Sequence, residues 1–154
     1  MTMKLIVFVC VSNTCRSPMC EFLLRDKIQK SQLSGNFAVI SRSISEDYEP
    51  QNSPANEQGQ LVLRNEFGID MESHRSKLLS AEDIQQAYLI IPVKRDLGEY
   101  IKHQYPQAKD KLKYLAKDVT DPWRQPYPVY LSCAKLVESL LEEVMNDLIS
   151  EPEL

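Results

Sequence analysis

The stretch Lys4-Leu5-Ile6-Val7-Phe8-Val9-Cys10 runs straight into Val11-Ser12-Asn13-Thr14-Cys15-Arg16 and then Ser17-Pro18. Its first half is apolar without interruption and rich in β-branched residues, the pattern of a strand buried on both faces. Small and polar residues follow. Ser17 suits a helix N-cap and Pro18 the first helical position. Behind them Cys20, Leu24 and Ile28 recur at i, i+4 and i+8, with Phe22 and Leu23 alongside, which predicts a helix with one buried face.

Working outward, residues 37–41 read as a second strand, and the polar, proline-punctuated residues 45–54 as an irregular loop. Ser53-Pro54 opens a helix that closes at Phe67-Gly68, with Gly68 as the terminating glycine. Ser80-Ala81-Glu82-Asp83 resembles a capping box with Asp in place of Glu. Residues 88–93 form a third strand, 94–104 a short helix before Tyr105-Pro106, and 113–116 a weak fourth strand. Cys133, Val137, Leu140, Leu141, Val144 and Leu148 mark one face of a long C-terminal helix. Alternating strands and helices imply a three-layer α/β fold: a central four-stranded parallel sheet flanked by helices. With no repeat, low-complexity tract or linker, residues 1–154 read as a single domain.

Composition narrows the function. The chain has 154 residues, 43% hydrophobic and 26% charged, which excludes a disordered chain. The longest apolar run, residues 5–11, is far short of the roughly 18–20 needed to span a bilayer. No signal-peptide pattern opens the sequence. Four cysteines in a chain able to build its own core point to thiols in a reducing, cytoplasmic compartment rather than a disulfide framework. Eighteen basic against 22 acidic residues leave a net charge of −4 with no basic stripe, against a nucleic-acid or membrane partner. An anion must therefore be handled locally.

The first loop is built to do that. In a parallel sheet the ligand site lies beyond the carboxyl ends of the strands, where a loop enters a helix N-terminus. The unpaired N–H groups there favour an anion and stabilise a thiolate. Arg16 adds a planar fork that can hold two phosphate oxygens, and Asn13 tolerates the left-handed backbone of a tight loop. With four Cys, seven Arg and 17 Ser or Thr, a chance C-x5-R-[ST] match is expected only about 0.02 times. Cys10 alone would read as a buried hydrophobe. With Arg16 and Ser17 it reads as a nucleophile.

Val9 to Pro18, V-C-V-S-N-T-C-R-S-P, resembles the phosphate loop of the low-molecular-weight protein tyrosine phosphatases, and Asp121-Pro122-Trp123 resembles that family's Asp-Pro-aromatic site. Gly68-Ile69-Asp70-Met71 and His74 match more weakly. The resemblance implies a metal-independent hydrolase with no cofactor. Cys10 would attack phosphorus to give a phosphocysteine intermediate. Arg16 and the amides of Val11, Ser12, Asn13, Thr14 and Cys15 would bind the phosphate, and Ser17 would hydrogen-bond the Cys10 sulfur. Asp121 would serve as general acid and then base, with Asp118 as the fallback. It further implies loop support from Asn13, Ser41 and His74, an aryl cleft walled by Tyr48 and Trp123, and a reversible Cys10–Cys15 disulfide. Substrates would be phosphotyrosine proteins or small aryl phosphates, with inhibition by phosphate-like oxyanions and a monomeric enzyme.

Some residues keep a plainer reading. His74 is as readily an exposed histidine as a loop support, Cys20 and Cys133 read as core, and Tyr127 and Tyr130 as solvent-exposed aromatics. The chain also departs from the family: Trp123-Arg124 replaces the usual tyrosine pair, Pro92-Val93 follows the third strand, and Lys77 stands where many members carry Arg. An arsenate reductase on the same scaffold is the nearest rival, but it needs resolving cysteines that are absent between Cys20 and Cys133. A non-catalytic phosphate or phosphotyrosine binder would need neither the nucleophile nor the acid.

Overall fold

Strand β1 (Lys4–Cys10) is buried from residue 6 to residue 10, and its alternating side chains divide the molecule into layers. Ile6, Phe8 and Cys10 join one apolar cluster; Val7 and Val9 join another on the opposite face. A strand with helices on both sides can carry no polar position, which explains the unbroken apolar run. The computed structural model describes residues 3–33 and 35–150.

β1 is the centre of a parallel sheet ordered β2-β1-β3. It pairs with β2 (Phe37–Ser43) from Lys4↔Phe37 to Cys10↔Ser43, and with β3 (Ala87–Pro92) through Ile6↔Leu89 and Val9↔Pro92. On one face lie α1 (Arg16–Lys30) and α5 (Tyr127–Ser150), where Leu24 and Ile28 pack with Val137 and Leu141 against Ile6 and Phe8. Each such aliphatic side chain stabilises the fold by roughly 1.5–3 kcal/mol on burial. On the other face Ile84 of α3 (Ala81–Gln86) and Ile101 of α4 (Arg95–Gln104) meet Val7 and Val9. The Ser80 capping box is formed: its hydroxyl accepts from Asp83 N–H and the Asp83 carboxylate accepts from Ser80 N–H.

Three expectations are corrected. The described residues form three strands, not four. Lys113 N–H reaches Ile90 O at 2.9 Å and Leu112 bridges Ile90, but then the chain leaves β3, Tyr114 packing against Gly98 of α4. It returns only where Val119 N–H donates to Val93 O. Helix α1 begins at Arg16, capped by Cys15 without a side-chain hydrogen bond, because the Ser17 hydroxyl is engaged elsewhere. The helix expected from Ser53 begins later: Asn56 caps α2 (Glu57–Val62), while the Ser53 hydroxyl donates to Pro50 O. Its last turn (Leu63–Phe67) is a π-type turn, and it does end at Gly68, whose φ of 69° suits glycine.

Candidate active site

Cys10 is the last residue of β1, and the next five residues curl between it and α1. Asn13 makes the curl, with φ 60°. Its own backbone N–H donates to Cys10 Sγ at 3.1 Å. The Asn13 side-chain amide donates 2.8 Å bonds to both Ser17 Oγ and Ser41 Oγ. Since Ser17 Oγ accepts from Asn13, its own proton is free to point at Cys10 Sγ, 2.9 Å away. Two donors thus converge on the sulfur, an arrangement that favours negative charge there.

A buried network holds Asn13 in turn. Its Oδ1 accepts from Lys77 N–H at 3.1 Å, a backbone bond that is indifferent to Lys or Arg at this position. Its carbonyl accepts from His74 Nε2 at 2.7 Å. Ser41 passes its hydroxyl proton to Glu21 Oε1 at 2.6 Å, and Arg25 pairs with the other Glu21 oxygen at 2.5 Å. Burial raises the Glu21 carboxyl above its ordinary range and lowers the His74 imidazole below its own. His74 is 7% exposed and touches the loop, so the exposed reading is corrected.

Arg16 is also buried. Its Nη1 donates to Val119 O at 3.1 Å, and Nη2 lies 3.7 Å from Asp121 Oδ2. Because Val119 is tied to Val93, the residue just past β3, whose own N–H donates to Val9 O of β1, the sheet itself aims the guanidinium. Asp121 Oδ1 accepts from Trp123 N–H at 3.0 Å, and the carboxylate is 46% exposed. Asp118 serves elsewhere, accepting from Arg95 N–H at the start of α4.

Cys10, Val11, Ser12, Thr14, Cys15, Arg16, Tyr48, Asp121 and Trp123 line one cleft of about 210 Å³. A cavity of about 150 Å³ suffices for benzene, so one aryl ring fits. Tyr48 and Trp123 meet edge to face at 5.9 Å, and Arg124 stacks on Trp123 at 4.1 Å. Asn13 is part of the loop but does not line the cleft, and its N–H is committed to Cys10 Sγ, which corrects its expected place among the phosphate-binding amides; Ser17, Ser41 and His74 are buried behind the loop. Among the described residues, no group of three or more His, Cys, Asp or Glu is placed to hold a metal ion.

The family model for low molecular weight phosphotyrosine protein phosphatase matches residues 5–153. The chain belongs to this family. A low molecular weight protein-tyrosine-phosphatase of Acinetobacter johnsonii is 32% identical over 147 residues, 93% of this chain and 96% of the relative. A protein-arginine-phosphatase of Geobacillus stearothermophilus is 33% identical over 153 residues, covering 95% and 97%. The crystal structure of a low molecular weight protein tyrosine phosphatase from T. tengcongensis superposes with a TM-score of 0.85 at 31% identity, covering 94% of this chain and 99% of that one.

Sequence reasoning missed two residues of this phosphatase-family site. Glu21 was legible only as a charge beside Cys20 on the buried face of α1, paired at i+4 with Arg25. Tyr130, expected on the surface, is fully buried, with its hydroxyl 3.4 Å from Cys15 Sγ. Its spacing of four and seven from Ala134 and Val137 is the signal that places it on the inner stripe of α5. Tyr127 is half-buried and donates to Glu66. Burial pushes the Cys15 thiol up to about 11 and Cys133 to about 12, and raises Cys20 as well.

Proposed function

We propose that this chain hydrolyses phosphotyrosine and aryl phosphate monoesters through a phosphocysteine intermediate. The observation that carries the reading is one cleft lined by Cys10, Arg16 and Asp121 and walled by Tyr48 and Trp123. The Cys10 thiolate attacks phosphorus, the bond to the aryl oxygen breaks, and Asp121 gives that oxygen a proton. Arg16 and the loop amides other than that of Asn13 hold the phosphoryl oxygens, whose charge is the main demand of a loose transition state. Asp121 then takes a proton from the water that attacks phosphocysteine, and the Cys10 thiolate departs toward the Ser17 and Asn13 donors. Oxyanions resembling phosphate compete for the same loop.

The test is hydrolysis of p-nitrophenyl phosphate and a phosphotyrosine peptide by the reduced protein in excess chelator. Turnover by the wild type, and its loss in Cys10→Ser, is the expected result. No turnover by the fully reduced wild type would remove the reading.

One observation favours a second substrate. Thr14 brings a hydroxyl-bearing side chain to the cleft, with a 3.9 Å contact to Cys15 Sγ as its hydrogen-bond partner. A phosphoguanidine carries N–H donors beside phosphorus where an aryl ester has none, and Thr14 Oγ1 and Asp121 can accept them. The Geobacillus relative named a protein-arginine-phosphatase gives this weight. On this reading Thr14→Val lowers kcat/KM for phosphoarginine by roughly tenfold and leaves phosphotyrosine within about threefold. Equal losses on both substrates count against it.

A further inference from the structure

The loop that carries Tyr48 is tied to the phosphate loop at both ends. Ser45 N–H donates to Val11 O at 3.1 Å, and Asn56 N–H donates to Thr14 O at 2.8 Å. Tyr48 stands between these ties, 62% exposed, its ring 5.9 Å from that of Trp123. A ring so exposed makes few packing contacts, and its place is set by the backbone that carries it. The loop then turns through Asn52 at φ 70°, a left-handed conformation that costs energy and needs a hold. Ser76 supplies it. The Ser76 N–H donates to Ser53 O and its carbonyl accepts from Asn52 N–H, both at 2.8 Å. Its hydroxyl accepts from Ser53 N–H at 3.0 Å and donates to Pro50 O at 3.2 Å. Ser76 is buried, and nearby Leu78 N–H adds a bond to Gln51 Oε1 at 3.1 Å. Other residues of the same segment face the phosphate loop instead: His74 Nε2 and Lys77 N–H both donate to Asn13.

We propose that Ser76 is a positioning residue for the aryl side of the cleft: its hydroxyl fixes the loop two residues beyond Tyr48 and so keeps that ring opposite Trp123, at the spacing that admits a substrate ring. This role deepens the phosphatase reading, and rests on it in that the substrate ring lies between those two side chains. Any residue could supply the two backbone bonds of Ser76, but only the hydroxyl joins Pro50 to Ser53 through a side chain. Without it, Ser53 N–H loses that acceptor and Pro50 O keeps only the bond from the Ser53 hydroxyl within the loop itself. Nothing then ties the Pro50 carbonyl to the segment behind it. The Asn13 bonds to His74 and Lys77 are separate, so the phosphate loop stays braced. Ser76 therefore acts on the ring's share of binding and not on the phosphate's.

The experiment measures, by calorimetry, binding of benzylphosphonate and of inorganic phosphate to the reduced wild type, Ser76→Ala and Gln51→Ala. The first ligand carries a ring and a carbon–phosphorus bond that is not hydrolysed; the second has no ring. Loss of one hydrogen-bonded hydroxyl should lower the ratio of benzylphosphonate to phosphate affinity about fivefold in Ser76→Ala, with phosphate affinity itself unchanged. Trp123 is the chain's one tryptophan, so its quenching by acrylamide reports the wall directly and should rise in Ser76→Ala. An unchanged ratio, an equal fall in both affinities, or a lowered ratio with unchanged quenching would overturn the role. Should Ser76→Ala not fold, Gln51→Ala, at an exposed position, must lower the ratio in the same direction or the role is overturned. The ratio does not depend on the fraction of folded protein. Neither readout needs turnover, so failure of the Ser76 role is distinct from failure of the phosphatase reading, which shows as no hydrolysis of p-nitrophenyl phosphate by the wild type.

Discussion

The Arg16 guanidinium lies 3.7 Å from the Asp121 carboxylate. The side chain that would hold phosphate and the one that would protonate the leaving oxygen thus face one volume, with Cys10 at its floor. Arg16 is fixed by Val119, whereas Asp121 sits half-exposed on a loop. An ester entering that volume meets a fixed cation and an acid with room to adjust.

Asp121→Asn keeps the shape of the side chain and removes its proton transfer. With phenyl phosphate, whose leaving oxygen needs a proton, kcat/KM, which reports the first step and not the hydrolysis of phosphocysteine common to all substrates, should fall by roughly 10²–10³. With p-nitrophenyl phosphate, whose leaving group departs as a stable anion, the fall should be at least tenfold smaller. Steady-state kinetics on the pair check this; equal losses would argue that Asp121 only positions substrate.

Ser17→Ala removes one of two donors aimed at Cys10 Sγ. The thiolate is then a poorer leaving group from phosphocysteine, so the second step should slow by roughly 10–100-fold. The visible sign is a burst of p-nitrophenol in rapid mixing followed by a slow steady state. A uniform slowing without a burst would place the effect on the first step.

His74 predicts a pH dependence of stability. Its imidazole is held below the ordinary value of 6.5, chiefly by burial. Above pH 6.5 folded and unfolded chains bind the same number of protons at this group. As pH falls below 6.5 the unfolded chain takes up a proton first, so stability drops until the folded pKa is passed. Glu21 acts in the other direction: its raised folded pKa makes stability fall as pH rises above 4.5 toward that pKa. Substituting His74→Gln, which keeps a donor for Asn13 O, should flatten the slope of Tm against pH just below 6.5. Calorimetry over pH 5–7.5 on both proteins measures it.

Gly98 lies under Tyr114: a Cβ there would sit 2.4 Å from the Tyr114 ring and hydroxyl. The ring also carries the Arg95 guanidinium at 4.5 Å, so it is not free to swing away. Gly98→Ala should cost about 1–3 kcal/mol and lower Tm by roughly 3–10 °C. Tyr114 Oη is buried without a hydrogen-bond partner among the described residues, so Tyr114→Phe should cost under about 0.5 kcal/mol. Thermal unfolding of the two variants separates these effects.

Much of this molecule was decided locally. The apolar run 4–10 could only be a central strand, since a half-exposed strand would alternate. Cys10, Arg16 and Ser17 belong to one turn of chain whose spacing alone brings them together, and Gly68 and the Ser80 capping box answer to their own few residues. What the sequence left open depended on segments far apart in the chain. The stretch 113–116 has strand-like residues, yet Tyr114 finds its place on Gly98 and draws the chain off the sheet. Tyr130 reads as a surface aromatic until α5 docks on α1 and sets its hydroxyl against Cys15. Asn13, Ser41 and His74 were implied as loop supports only by the resemblance, and Glu21, which accepts the Ser41 proton, by nothing at all, because burial and hydrogen bonding between distant elements exist only once the layers have closed.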